Sequence, residues 1–244
     1  MAKTAGNGPG WDNGIGQLGQ TSQGIADAIA AVARRYDQAY RGDAFDLPAE
    51  VEAMPIFHDW SSGRLAARTT SPFWELTTPR KNDRCLDIGC GVSFLIYPWC
   101  DWNAYFYGQE ISGVAQQVLN TRSPQLNSKL FKGVVQAPAH RLDYDVQFDL
   151  AIATGVSCYY PVDYWGTVMA AVRRVLKPGG LFVFDAVNAD QELAENWAIL
   201  ETYLGAEVLQ APAEAWLQLI KQSGMTLVSQ RPGDIFTLYK VRVP

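Results

Sequence analysis

Histidine is scarce in this chain: His58 and His140 are the only two in 244 residues. The four cysteines, Cys85, Cys90, Cys100 and Cys158, form no Cys-x-x-Cys pair. With neither paired thiols nor clustered imidazoles, a structural zinc site is not expected, and neither is a metal requirement. The thiols read as small apolar residues of a reducing compartment, so a cytoplasmic location is expected. No run approaches the ~20 apolar residues of a membrane span, and the N-terminus shows no charged-then-apolar leader pattern. Basic charge is not in excess either. The formal net charge is −5, which argues against a nucleic-acid partner, since a phosphate backbone calls for a basic face. The chain is instead rich in apolar bulk, with a hydrophobic fraction of 48% and an aromatic fraction of 12%. That supports one large α/β domain, alone or with a cap.

The stretch Arg84-Cys85-Leu86-Asp87-Ile88-Gly89-Cys90-Gly91 organises the rest. Cys85, Leu86 and Ile88 suit one buried strand. Gly89 and Gly91 then permit a tight turn and let a ligand lie against bare backbone. Asp87 places a carboxylate at the strand end. Glu110 follows a second apolar strand and stands 19 residues past Gly91, a spacing that brings an acid to the hydroxyls of a bound ribose. A dinucleotide is disfavoured, because its third glycine is replaced by Phe94 and Asp87 would repel a pyrophosphate. A nucleoside with a cationic arm fits better.

Four segments resemble one family. Leu86-Asp87-Ile88-Gly89-Cys90-Gly91 is similar to the first motif of the class I S-adenosylmethionine-dependent methyltransferases, and Tyr107-Gly108-Gln109-Glu110-Ile111-Ser112 to the second. Phe148 to Ala153 resembles their fourth-strand motif, and Val175 to Leu181 the turn into their fifth strand. The resemblance implies a Rossmann-like α/β fold with a seven-stranded, mostly parallel sheet in the order 3-2-1-4-5-7-6. It also implies S-adenosylmethionine as cofactor, with S-adenosylhomocysteine as product. By matching positions, Gly89, Cys90 and Gly91 would line the methionine arm and ribose, Asp87 would sit near the ammonium, and Glu110 would hold both ribose hydroxyls with Ile111 beside it. The family often has an Asp after its third strand for the adenine amine; here Gln136 is the substitute, followed by Ala137. Ser93 stands where that first motif often ends in Gly. Thr154 and Gly155 open the loop after strand four, which should face the methyl group, and Tyr159 or Tyr160 would line the acceptor site or else serve as a core aromatic.

Taken in order, residues 1–24 are rich in Gly, Asn, Gln and Ser and read as flexible. Residues 25–80 read as an N-terminal helical cap and 81–244 as the cofactor-binding domain. Ile25 to Tyr40 has one apolar helical face, Pro48 starts a second helix that Pro55 interrupts, and Ser61 or Ser62 would cap a third containing Arg64 and Arg68. From Arg84 strands near 84–88, 104–109, 130–135, 148–153 and 181–187 alternate with helices near 93–99, 112–121, 163–175, 191–203 and 212–223, the third capped by Asp163. Two last strands joined by Pro232-Gly233-Asp234 form an antiparallel hairpin. Asn188 to Pro212 carries a helix that either shapes an acceptor pocket or only buttresses the sheet.

The segment from His58 to Trp74 reads either as cover for the sheet edge or as a lid over the cofactor, in which Arg68 reaches the methionine carboxylate, Phe73 or Trp74 excludes water, and His58 beside Asp59 takes an acceptor proton. His140 is expected near the surface. The reading favoured is methylation of a small, apolar or aromatic molecule. A non-catalytic binding module and a protein methyltransferase are the alternatives.

Overall fold

A computed structural model gives the fold, and residues 22–65, 72–95 and 97–244 are the ones described. Of residues 1–24, expected to be flexible, 1–21 lie outside them and 22–24 are helical; Arg68, expected on the cofactor, also lies outside them.

Before the sheet come α1 (Ser22–Arg41), α2 (Ala49–Glu52) and α3 (Pro55–Ser61). α1 buries Ile25, Ile29 and Val32 at helical spacing. Pro55 does end α2, but it also begins α3, where a proline loses no helical hydrogen bond. Ser61 and Ser62, expected to cap a third helix, close α3; Arg64 and Leu65 after them are helical, and the rest of that segment lies outside the described residues. Ser62 Oγ donates to the His58 carbonyl at 2.6 Å.

The sheet holds β1 (Arg84–Ile88), β2 (Tyr105–Glu110), β3 (Phe131–Gln136), β4 (Phe148–Ala153), β5 (Leu176–Val187), β6 (Thr226–Pro232) and β7 (Phe236–Arg242). Its order is β3-β2-β1-β4-β5-β7-β6. β1 to β5 run parallel, and β7 is antiparallel to both β5 and β6. This is the Rossmann-like α/β arrangement the sequence predicts. Side chains alternate between two core layers: Leu86 and Ile88 join the layer that holds α1, while Cys85 joins the layer of Phe94, Phe106 and Phe131.

Four local expectations change. No helix spans 93–99. A short 3₁₀ turn, Val92–Leu95, is followed by α4 (Trp99–Trp102), because Pro98 cannot donate within a continuous helix and Phe94 is pinned in the core against Phe106 and Phe131. α5 (Gly113–Asn127) is longer than predicted and is capped by Ser112, whose hydroxyl accepts from the Ala115 amide. α6 (Val162–Val175) has Pro161 at its cap, with Asp163 in the first turn, where its charge still suits the helix end. Finally, β5 starts at Leu176 and not after the glycines. Leu176 pairs with Phe148 and Leu181 with Leu150, so 177–180 form a bulge inside the strand, with Gly179 at φ +76°. α7 (Glu192–Tyr203) and α8 (Ala213–Gln222) complete the chain before the hairpin.

Candidate functional site

The β1 turn is built for close approach. Gly89 and Gly91 take φ of +69° and +48°, a region that costs L side chains strain. A Cβ on Gly89 would fall 2.4 Å from Val156 Cγ2. The Gly89 amide donates to the Gln109 carbonyl on β2 at 2.7 Å, which ties the turn to the strand that ends in Glu110. Glu110 is buried, and its carboxylate gathers three amides: Gly91 at 2.7 Å, Ile111 at 2.8 Å and Ser112 at 2.9 Å. Burial raises its pKa and these three donors work against the rise.

A cavity of about 380 Å³ opens at the carboxyl ends of β1, β2 and β4, where ligands sit in open α/β sheets. Gly89, Cys90, Gly91, Glu110, Ile111, Thr154, Gly155 and Tyr159 all line it, so most of the predicted site residues converge. Tyr97 lines it too and hydrogen-bonds both Thr154 and Asp87. Asp87 stands behind that tyrosine, 1% exposed, and does not itself line the cavity. Burial pushes its carboxyl up to about 8; the Tyr97 hydrogen bond lowers it and the Glu110 charge raises it further.

Other expectations move. Gln136 is exposed and turns its Nε2 to the Ile111 carbonyl at 3.3 Å. Ala137 is buried, with its amide on the Glu110 carbonyl at 3.1 Å. Neither lines the cavity, whereas Ala139 does. His58 is exposed, its ring against Phe57, because α3 buries Ile56 and leaves His58 on its outer side. It does not line the cavity. Phe73 and Trp74 pack edge-on with Tyr97 and belong to the core, not to a lid. His140 is buried, not near the surface: its Nδ1 lies 2.8 Å from the Tyr164 hydroxyl, and burial together with Arg141 lowers its pKa.

The cover of the cavity comes from α1, which sequence reading treated only as an apolar face. Tyr40 accepts from the Val92 amide and would lie 2.8 Å from a Cβ on Gly91. Asp37 accepts from Ser112 Oγ at 2.6 Å and the Val114 amide at 3.2 Å, fastening α1 to the start of α5. Val32, Arg35 and Tyr36 line the cavity with Trp197 and Glu201 of α7. Arg35 grips Glu201 in a buried bidentate pair, Nε to Oε2 at 2.9 Å and Nη2 to Oε1 at 2.8 Å. Tyr159 donates to Glu201 Oε2 at 3.1 Å, and its hydroxyl lies 2.7 Å from that of Tyr36. The signal for this group was faint: a buried Arg and Glu 166 residues apart can recognise each other only once the fold is known.

Residues 86–184 match the family model described as a methyltransferase domain. Over those residues the chain is similar to methyltransferase domains. The matched span runs from β1 through most of β5 and so includes the glycine turn, Glu110 and the loop after β4. This domain is similar to the sterol 4-C-methyltransferase of Caenorhabditis elegans, 30% identical over 118 residues, which are 48% of this chain and 35% of that protein. The chain thus spans about a third of the length of that curated relative. Among solved structures it resembles the magnesium protoporphyrin IX methyltransferase of Synechocystis PCC 6803 with bound S-adenosylhomocysteine, at a TM-score of 0.60 and 13% identity over 91% of this chain and 99% of that one. It also resembles the geranyl diphosphate C-methyltransferase of Streptomyces coelicolor A3(2), at a TM-score of 0.64 and 11% identity over 89% of this chain and 98% of that one. At such identities the structural likeness establishes a common fold.

Proposed function

We propose that this chain transfers a methyl group from S-adenosylmethionine to a small, largely apolar molecule, leaving S-adenosylhomocysteine. The observation that carries the reading is the buried Glu110 carboxylate beside the bare Gly91 backbone at the floor of the cavity. A carboxylate there can accept from paired ribose hydroxyls, and the turn leaves room for a ligand against the chain. When bound, S-adenosylmethionine supplies a methyl group already activated by its sulfonium. The chain's own task is then to hold, orient and keep dry. Good positioning of two reactants supplies roughly 7–11 kcal/mol of a barrier. Gly89, Cys90, Gly91, Glu110 and Ile111 are the residues assigned to the cofactor, with Thr154 and Gly155 near the transferring group and Asp87 acting through Tyr97. Tyr159 is assigned to the acceptor side.

A purely binding role is disfavoured, because Val32, Trp60, Leu65, Trp197 and Phe236 also line the cavity, more apolar wall than the glycine turn and Glu110 alone would provide. Such walls suit an apolar or aromatic acceptor. The cover by α1 disfavours a protein acceptor. The geranyl diphosphate enzyme was solved with Mg²⁺, but no metal is assigned here: among the described residues no three His, Cys, Asp or Glu side chains converge. Also among the described residues, no helix is long and apolar enough to cross a membrane, and Cys85, Cys90 and Cys158 are buried and unpaired, in keeping with a reducing, cytoplasmic setting.

Titration calorimetry tests the cofactor half. S-adenosylmethionine and S-adenosylhomocysteine are expected to bind and NAD is not. Tighter binding of NAD would refute the reading.

A further inference from the structure

The polar end of the cavity has a direction. Arg35 holds Glu201 in two parallel charge-assisted bonds, so Glu201 is a carboxylate and can only accept. The Tyr159 hydroxyl therefore donates to it. A phenol has one proton, so Tyr159 must accept from Tyr36, 2.7 Å away. The one proton of Tyr36 is thereby committed. Burial, followed by the charge of Glu201, pushes the Tyr36 phenol well above its ordinary range, and burial and Glu201 do the same to Tyr159, so ionisation does not undo the order. Tyr36 is half-buried and lines the cavity. What it has left for a ligand is lone-pair capacity without a proton.

We propose that the Tyr36 oxygen is the docking point for an O–H group of the methyl acceptor, which makes the acceptor an apolar or aromatic alcohol or phenol. This rests on the methyl-transfer reading above. An ether, ketone or carboxylate oxygen set against Tyr36 would oppose two acceptors and leave both without a partner, which is costly in a buried site. A hydroxyl donates to Tyr36 and lets its carbon skeleton lie against Trp60, Leu65, Trp197 and Phe236. The direction is imposed from α7, so the segment between β5 and α8 is a specificity element and not only a buttress.

The test uses protein loaded with S-adenosylhomocysteine and a panel of phenols and primary alcohols of graded size, each paired with its methyl ether. Dissociation constants are measured by calorimetry. Wild type is expected to bind the hydroxyl member about tenfold or more tightly than the ether, the worth of one net hydrogen bond. Tyr36→Phe is expected to abolish that preference. So is Tyr159→Phe, because the Tyr36 proton is then released and can serve an ether oxygen. This second loss distinguishes a directed row from a simple contact, and it stands as the test should Tyr36→Phe fail to fold. Equal binding of ethers and hydroxyls by wild type, a preference surviving in either variant, or no binding by any panel member overturns the proposal while leaving the cofactor reading intact. A Tyr36→Phe variant that weakens S-adenosylhomocysteine but not the panel also overturns it, by giving that oxygen to the cofactor's ammonium. Failure of S-adenosylhomocysteine to bind at all removes the methyl-transfer reading, and the proposal with it.

Discussion

Glu110 Oε2 lies 2.7 Å from the amide nitrogen of Gly91, 19 residues earlier in the chain. The acid at the end of β2 thus closes the turn at the end of β1. The same carboxylate orders Ile111 and Ser112 through their amides, so one side chain both shapes the turn and lines the cavity. Glu110→Ala is expected to weaken S-adenosylmethionine binding by about 1.5–3 kcal/mol, the loss of two charge-assisted hydrogen bonds. Because burial raises the Glu110 pKa, binding should also fall on acidification before the ordinary carboxylate range is reached. The wild type would lose affinity as the pH drops through that raised value, whereas the variant would not. An unchanged dissociation constant in a folded variant would remove Glu110 from the ribose.

Asp87 gives a pH signature of a different sign. Its folded value is raised from 3.8 to about 8, so the folded state keeps a proton that the unfolded chain gives up. The stabilisation is fully present below about pH 4 and is lost as the pH rises through 8. Asp87→Asn cannot ionise. Its denaturant midpoint, relative to wild type, should climb between those two values and then level off. Parallel curves across that window would show that Asp87 is ionised in the fold.

The lid should register in hydrogen exchange. Tyr40 and Asp37 fasten α1 over the glycine turn and the start of α5. Adding S-adenosylhomocysteine is expected to protect amides across 32–40 together with 89–92, and Asp37→Ala should reduce the gain across 32–40. Protection at 89–92 with none in α1 would show that the helix merely covers a core face.

The parts of this molecule that could be read from the sequence are those set by local pattern. A short apolar run, two glycines and an acid 19 residues on specify a strand, a turn and a second strand end, and all three are where they were expected. The hairpin turn at Pro232-Gly233-Asp234 fixed the antiparallel pair in the same way. What was not legible depends on contacts distant in sequence. His58 beside Asp59 has the composition of a catalytic pair, yet α3 turns it to solvent. Arg35 and Glu201 look like ordinary residues of amphipathic helices and meet only because α1 and α7 line the same cavity. Phe73 and Trp74 could have been a lid by composition, but an aromatic core had the stronger claim on them. The helix expected after β1 fails for a local reason: Pro98 interrupts it, and only the short turn Val92–Leu95 and α4 form.

The central claim is methyl transfer, and label transfer tests it most directly. The protein would be incubated with S-adenosylmethionine labelled on its methyl group and with a metabolite extract, and the products resolved by mass spectrometry. Label is expected in a small apolar product bearing one more methyl group than its precursor, formed in step with S-adenosylhomocysteine. Tight binding of S-adenosylmethionine with no label leaving it for any component of the extract would contradict the account and favour a module that only binds.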